Sequence, residues 1–123
     1  MKMPRISEAE WQVMKILWAK SPLTANEVVD SLSAVTQWSD KTVKTLINRL
    51  AKKGALGFER QGRMYLYHPR VNEVDCARAE GQSFLKRVYG GALLPMMAAF
   101  LEEQTLSRSE TEKLRRILDE EGR

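Results

Sequence analysis

The residues best suited to chemistry lie in one cationic segment, Lys41–Arg63. It contains seven basic side chains and a single acidic one, Glu59. Cations at this density create a positive field that suits a polyanion such as the phosphate backbone of a nucleic acid. The alternative is a solvated, lysine-rich helix face, and charge density alone does not separate the two readings.

The spacing within Ser39–Gly54 predicts a helix with two different faces. Apolar residues recur at i, i+3, i+4 and i+7 from Val43 to Leu50, and the opposite face is polar. Ser39 is a suitable N-cap, and Gly54 suits the left-handed position that follows a helix. Because the major groove of DNA is about 12 Å wide and admits a helix, the polar face predicts contacts with DNA.

The hydrophobic period changes from about 3.6 to 2 after Gly54, which predicts two strands. Leu56–Arg60 and Met64–His68 alternate on either side of a short turn, Gln61–Arg63. A hairpin after three helices is the winged helix-turn-helix arrangement, whose wing tip also reaches DNA. The predicted DNA-binding residues of the third helix and the wing are Ser39, Lys41, Thr42, Thr45, Asn48, Arg49, Lys52, Arg60 and Arg63.

Two capping boxes predict the helices that must position the third one. In Ser7–Glu10 and in Thr24–Glu27, a hydroxyl residue is followed three positions later by a glutamate. The first helix ends before Pro22, because the residue that precedes a proline is disfavoured in the helical region. The second helix runs to about Ala34.

The second half of the chain returns to a helical pattern. Helices are predicted over Glu73–Tyr89, Ala92–Gln104 and Ser107–Glu121. The predicted fold class is mainly α with a small β-hairpin. It comprises an N-terminal winged helix-turn-helix DNA-binding domain, residues 1–70, and a C-terminal three-helix dimerisation domain, residues 71–123.

The apolar density of this second half predicts a homodimer. Its middle helix is apolar nearly all round, which implies burial on all sides, and three short helices of one chain cannot provide that. Docking of this surface on the N-terminal domain is the alternative. A twofold dimer would pair two recognition helices and so predicts a palindromic operator. The predicted interface residues are Phe84, Leu85, Val88, Tyr89, Leu93, Leu94, Met97, Phe100 and Leu101.

Composition excludes several classes of protein. The 123-residue chain has one cysteine, Cys76, so no disulfide framework, cysteine-based metal cluster or cofactor is expected. No apolar run approaches the roughly 20 residues of a bilayer span, and the N-terminus lacks signal-peptide features, so a cytoplasmic location is expected. With His68 as the only histidine and no phosphate-binding loop, an enzyme is not expected.

The net charge of +4 is unevenly distributed. Residues 1–70 hold 12 basic and 6 acidic side chains, whereas residues 71–123 hold 8 basic and 10 acidic ones. The basic excess therefore belongs to the predicted DNA-binding domain, and the predicted dimerisation domain is slightly acidic.

The chain resembles the BlaI/MecI family of penicillinase and methicillin-resistance repressors. The block Trp38–Gly54 carries the most specific part of the resemblance. Further matching stretches are Ile6–Met14, Ser83–Leu85, Tyr89–Gly91 and Phe100–Ser107. The resemblance implies a winged-helix repressor that dimerises through its C-terminal helices and binds palindromic operators of resistance genes, with TACA/TGTA-type half-sites. By matching positions, it implies groove contacts from Lys41, Thr42, Thr45 and Arg49.

The resemblance also implies a mode of release. In the family, a membrane-bound sensor metalloprotease triggered by β-lactam leads to cleavage of the repressor at an Asn-Phe bond in the second C-terminal helix. The aligned pair here is Ala99–Phe100, so alanine replaces the asparagine. The related copper-responsive repressors carry a C-terminal Cys-x-Cys metal site, which this chain lacks.

Two other functions remain open at this point. One is a winged-helix repressor of another stress or metal response gene, or one controlled by a small-molecule ligand. The other is a protein-interaction winged helix whose basic face meets an acidic partner.

Overall fold

The computed structural model describes residues 3–122, which form six helices and one antiparallel two-stranded sheet. The contacts divide the chain into two compact units, of which one ends at Glu80 and the other begins at Gly81. The elements are α1 (Glu8–Ala19), α2 (Ala25–Ser33), α3 (Asp40–Lys52), β1 (Leu56–Gln61), β2 (Met64–Pro69), α4 (Glu73–Tyr89), α5 (Leu93–Glu103) and α6 (Arg108–Glu121). The predicted fold class is confirmed.

Local hydrogen bonds start the helices where the sequence predicts. The capping boxes predicted at Ser7 and Thr24 are confirmed, and Ser107 forms a third one. In each, the hydroxyl accepts a backbone N–H and the partner glutamate reaches back to the cap residue. The break between α4 and α5 falls at Gly90 and Gly91, whose φ angles are +61° and +88°. Glycine adopts these angles without the steric cost that a Cβ would bring.

The first unit has one hydrophobic core built from α1, α2, α3 and the hairpin. Each helix contributes one apolar stripe, as the 3.6-residue period requires. The fully buried side chains include Val13, Met14, Leu17, Val28, Leu32, Val43, Ile47, Leu50 and Leu56. The hairpin pairs Leu56 with Pro69 at one end and Gln61 with Met64 at the other.

The first turns of α4 pack on the first unit, beyond the domain boundary predicted after Arg70. The indole N–H of Trp18 donates to the carbonyl of Val71 at 2.9 Å, and Lys15 pairs with Glu73. Cys76 is buried in the same core. These contacts are long-range, which is why a change in local pattern near Arg70 does not reveal them.

None of the described side chains of the second unit, residues 81–122, is buried in the single chain. Phe84, Tyr89 and Phe100 form an aromatic cluster with ring centroids 6.0 to 6.4 Å apart. Leu94 is nevertheless 77% exposed. Within the described residues, no single helix is long and apolar enough to cross a membrane. Only α4 and α5 taken together reach that length and composition, and the chain bends by 98° between them.

Glu10 is a buried carboxylate in the first unit, and it predicts a pH-dependent stability. Burial by itself raises the pKa of Glu10, but hydrogen bonds from the Lys53 ammonium and from Ser7 outweigh burial and hold that pKa below its ordinary value of 4.5. A lowered pKa stabilises the fold above about pH 4.5, and this contribution is lost as the pH falls through the folded-state pKa.

We expect Glu10→Gln to reduce the free energy of unfolding by about 1–3 kcal/mol at pH 7, since it removes the charged pair with Lys53. The difference from the wild type should shrink at pH 3, where Glu10 is largely protonated in the unfolded chain. Chemical denaturation of both proteins at the two pH values measures it. If the two proteins differed equally in free energy of unfolding at pH 7 and pH 3, the lowered pKa of Glu10 would be contradicted.

Candidate nucleic-acid interface

The third helix separates its side chains cleanly between core and solvent. Val43, Leu46, Ile47 and Leu50 are buried, as the periodicity predicts. The predicted contact residues on the opposite face are all exposed: Lys41, Thr42, Thr45, Asn48, Arg49 and Lys52. Because the buried stripe packs on the rest of the unit, this whole polar face points away from the core.

The N-terminus of α3 is stabilised by two predicted contact residues acting on each other. The hydroxyl of Ser39 accepts the backbone N–H of Thr42 at 3.2 Å, and the two hydroxyl oxygens lie 3.1 Å apart. Both side chains remain exposed. Ser39 is therefore occupied as a helix cap, and the Thr42 hydroxyl is already oriented before any partner binds.

The tip of the hairpin brings together the two arginines predicted for the wing. The strands are joined by a two-residue turn in which Gly62 has a φ of +65°. The guanidinium Nε of Arg60 donates to the carbonyl of Gly62 at 3.1 Å, so its side chain folds back over the turn. Arg63 lies in the turn itself and is exposed. Gln61 belongs to β1, so the turn is shorter than the three residues predicted.

A backbone contact holds the hairpin beside α2. Leu23 and Tyr67 exchange both of their backbone hydrogen bonds, at 3.1 and 2.8 Å. Leu23 thereby acts as a one-residue third strand, immediately before the helix cap Thr24. This bridge sets the position of the wing relative to α2 and α3, and no sequence pattern at Leu23 predicts it.

A cleft of about 190 Å³ opens where α2, α3 and β2 meet. It is lined by Asn26 at the start of α2, Lys44 on α3, and Arg63 and Tyr65 at the wing. Asn26, Lys44 and Tyr65 are absent from the predicted contact residues. The high charge density of Lys41–Arg63 could have indicated Lys44. Asn26 and Tyr65 line the cleft only because the hairpin folds back toward α2, which the sequence does not show.

An exposed aromatic pair covers one face of the wing. Phe58 and Tyr65 are 52% and 44% exposed, and their ring centroids lie 4.9 Å apart. Arg60 pairs across the strands with Tyr65, so a cation lies on the same face as the two rings. The wing therefore offers both charge and flat apolar surface to a partner.

The cations of this face are free of competing acids. Among residues 3–122, ion pairs form at Lys15, Lys53 and Arg78, and none forms at the predicted contact residues of α3 or the wing. In the same part of the chain, no group of acidic, histidine or cysteine side chains is arranged to hold a metal ion. The exposed cations of this site are therefore available to an anionic partner.

The predicted interface residues of the second unit are half-buried or exposed. Phe84, Leu85, Tyr89 and Met97 are half-buried, and the others are exposed: Val88, Leu93, Leu94, Phe100 and Leu101. The pair predicted for cleavage, Ala99 and Phe100, lies within α5. Its peptide bond is thus inside a continuous helix.

Residues 6–120 match the penicillinase repressor family. The chain belongs to this family. It is 44% identical to the penicillinase repressor of Bacillus licheniformis over 119 residues, which cover 97% of this chain and 93% of the relative. It is 37% identical to the methicillin resistance regulatory protein MecI of Mammaliicoccus sciuri over 114 residues, 93% of each chain. The family consists of transcriptional repressors, which are DNA-binding regulators and not enzymes.

Two solved structures of BlaI resemble part of the chain. One is the solution structure of the DNA-binding domain of BlaI, with a TM-score of 0.55. The other, with a TM-score of 0.53, is monomeric Bacillus licheniformis BlaI in complex with the blaP half-operator. Each is 46% identical to this chain and covers 60% of it and 90% of the solved chain. The predicted winged helix is confirmed.

Proposed function

We propose that this repressor binds palindromic operator DNA as a homodimer and controls β-lactam resistance genes. The observation that carries the proposal is the exposed polar face of α3, whose cations lack acidic partners among the described residues. The half-operator complex of the related BlaI supports the same kind of partner. Since DNA is the partner, the proposed place of action is the cytoplasm.

On this proposal α3 enters the major groove. Arg49 and Lys41 donate to guanine O6 and N7, and Thr42 and Thr45 contact base edges or thymine methyl groups. The remaining contact residues are Ser39, Asn48 and Lys52. Together with the positive N-terminus of α3, they hold phosphates and so set the register of the helix on DNA.

The wing and the neighbouring cleft supply further phosphate contacts. Arg60 and Arg63 at the tip reach the sugar–phosphate backbone or the minor groove beside the helix. Lys44 lines the same cleft as Arg63, so a phosphate there meets two cations. These contacts carry affinity and salt dependence rather than sequence preference.

The second unit joins two such subunits. No side chain beyond Gly81 in the described chain is buried, although α5 is rich in large apolar residues. A twofold partner would cover these residues and leave the two recognition helices related by the same symmetry as a palindrome. The proposed domains are residues 1–70 for DNA binding and 71–123 for dimerisation, with the first turns of α4 packed on the DNA-binding domain.

Release is proposed to follow cleavage near Ala99 and Phe100, initiated through a membrane-bound sensor metalloprotease. Phe100 is 47% exposed, but its peptide bond lies within α5. A protease needs an extended substrate, so α5 must unwind locally before it is cut. Cleavage there would remove α6 and part of α5 from the dimer.

Operator preference is tested by titration against a palindromic duplex and a random duplex of equal length. We expect tighter binding to the palindrome and a slope of log affinity against log salt of about −5 to −7, if a dimer neutralises about six to eight phosphates. Fluorescence anisotropy between 50 and roughly 300 mM salt measures both quantities. Equal affinity for the two duplexes would reject the proposal.

The roles of two neighbouring cations on α3 are expected to differ. Arg49→Ala should weaken palindrome binding by about 10- to 100-fold and random-duplex binding much less, because it removes a base contact. Lys52→Ala should weaken both alike and reduce the salt slope by about 1 per protomer, because it removes a phosphate contact. The assignments fail if the two variants change both duplexes equally.

The dimer is tested by placing a charge on its proposed interface. Leu94→Glu should convert the protein to a monomer in sedimentation velocity, because Leu94 is 77% exposed in the single chain on the most apolar helix. Val35→Glu is the matched control, since Val35 is 73% exposed in the other unit. A wild-type monomer, or an unchanged Leu94→Glu dimer, would contradict the proposed interface.

Proteolytic release is tested by co-expression with the cognate sensor protease, followed by β-lactam. Intact-mass spectrometry should find a fragment that ends at Ala99. Ala99→Asn restores the Asn-Phe pair that the family resemblance implies, and it should be cut at least as fast. An uncut chain during induced transcription would reject this mode of release.

A further inference from the structure

Lys53 differs from the other cations of the segment Lys41–Arg63. Its ammonium group donates to a carboxylate oxygen of Glu10 and, at 2.8 Å, to the backbone carbonyl of Arg5. An ammonium has three hydrogens to donate, so two are already used. The side chain of the adjacent Lys52 is exposed, and its ammonium group has no hydrogen bond or ion pair with another described residue. Two neighbouring lysines therefore stand in different environments.

Glu10 is the reason that Lys53 cannot easily change partner. The Glu10 residue is 2% exposed, and its Oε1 also accepts the backbone N–H of Ser7 at 2.8 Å. A buried carboxylate that loses its cation is strongly unfavourable, because burial has already removed its water. If Lys53 turned to a DNA phosphate, that charge would be left uncompensated.

The hydrogen bonds of the Lys53 ammonium, called here the Lys53 tie, join the end of α3 to the start of α1. Lys53 is the C-cap of α3, and its backbone N–H bonds to the carbonyl of Arg49 at 3.0 Å. A helix of this length spans about 20 Å, so a tilt of about 5° at one end moves the other end by nearly 2 Å. Hydrogen bonds to base edges tolerate far less than that. The buried stripe holds the middle of α3, and the tie holds its end.

We propose that Lys53 is a positioning residue: it clamps the C-terminal end of α3 to Glu10 and Arg5, sets the angle at which α3 meets DNA, and is not itself a phosphate ligand. The inference rests on the proposed function, because it assigns the orientation of the helix that reads the operator. On this assignment Lys52 contacts DNA, and Lys53 fixes the orientation of α3.

The test compares Lys53→Met with Lys52→Met, since methionine keeps much of the aliphatic stem and removes the charge. The probes are a palindromic duplex with two TACA/TGTA half-sites and a random duplex of equal length, titrated by fluorescence anisotropy over a range of salt concentrations. Lys53→Met should weaken palindrome binding about 10-fold, change random-duplex binding little, and leave the salt slope unaltered. Lys52→Met should weaken both duplexes and reduce the slope by about 1 per protomer.

A second pair of variants separates positioning from a general loss of stability. In Glu10→Gln/Lys53→Met no buried charge is uncompensated, and glutamine still suits the capping position. This double variant should melt at a higher temperature than Lys53→Met yet keep the reduced preference for the palindrome. Lys53→Arg keeps a cation that can reach both acceptors, so this variant should keep the wild-type preference for the palindrome.

Each outcome supports or overturns the assignment. A salt slope reduced in Lys53→Met as much as in Lys52→Met would make Lys53 a phosphate ligand. If the palindrome preference of the double variant recovered together with its melting temperature, the role of Lys53 would be merely structural. An unchanged preference in Lys53→Met would exclude any role of Lys53 in positioning. A wild-type protein that does not prefer the palindrome would instead reject the proposed function, before any variant is compared.

Discussion

The structure depends on the packing of one apolar stripe, Val43–Leu50, against α1, α2 and the hairpin. Burial of these side chains is what makes α3 a stable helix in this place, because its other face is too polar to support packing. The same packing fixes which side chains remain in water. A single physical constraint therefore selects both the core and the surface that is proposed to meet DNA.

The remaining contacts of the first unit adjust the geometry around that helix. The Leu23–Tyr67 bridge holds the wing beside α2, and the Lys53–Glu10 pair holds the end of α3 on α1. Trp18 and Lys15 fasten the start of α4 to the same unit. None of these contacts creates the core, but each limits a motion that would displace a contact residue.

Much of this was predictable from the sequence because it is local. Capping boxes, the period of α3, the change of period at Gly54 and the glycine break after α4 depend on residues a few positions apart. The missed features join distant positions: Leu23 to Tyr67, Glu10 to Lys53, and Asn26 to Arg63 across the cleft. Spacing along the chain carries no information about such pairs, so the cleft residues and the different hydrogen bonding of Lys52 and Lys53 required the structure.

The central claim is that the exposed face of α3 and the wing tip form the surface that meets DNA. It is tested most directly by ¹⁵N-edited NMR of the full-length protein, titrated with a palindromic duplex and with a random duplex. Backbone amides from Lys41 to Arg49 and from Arg60 to Arg63 should shift most, and those of the α3 residues should shift further with the palindrome. Shifts absent from these two segments, or concentrated beyond Gly81, would contradict it.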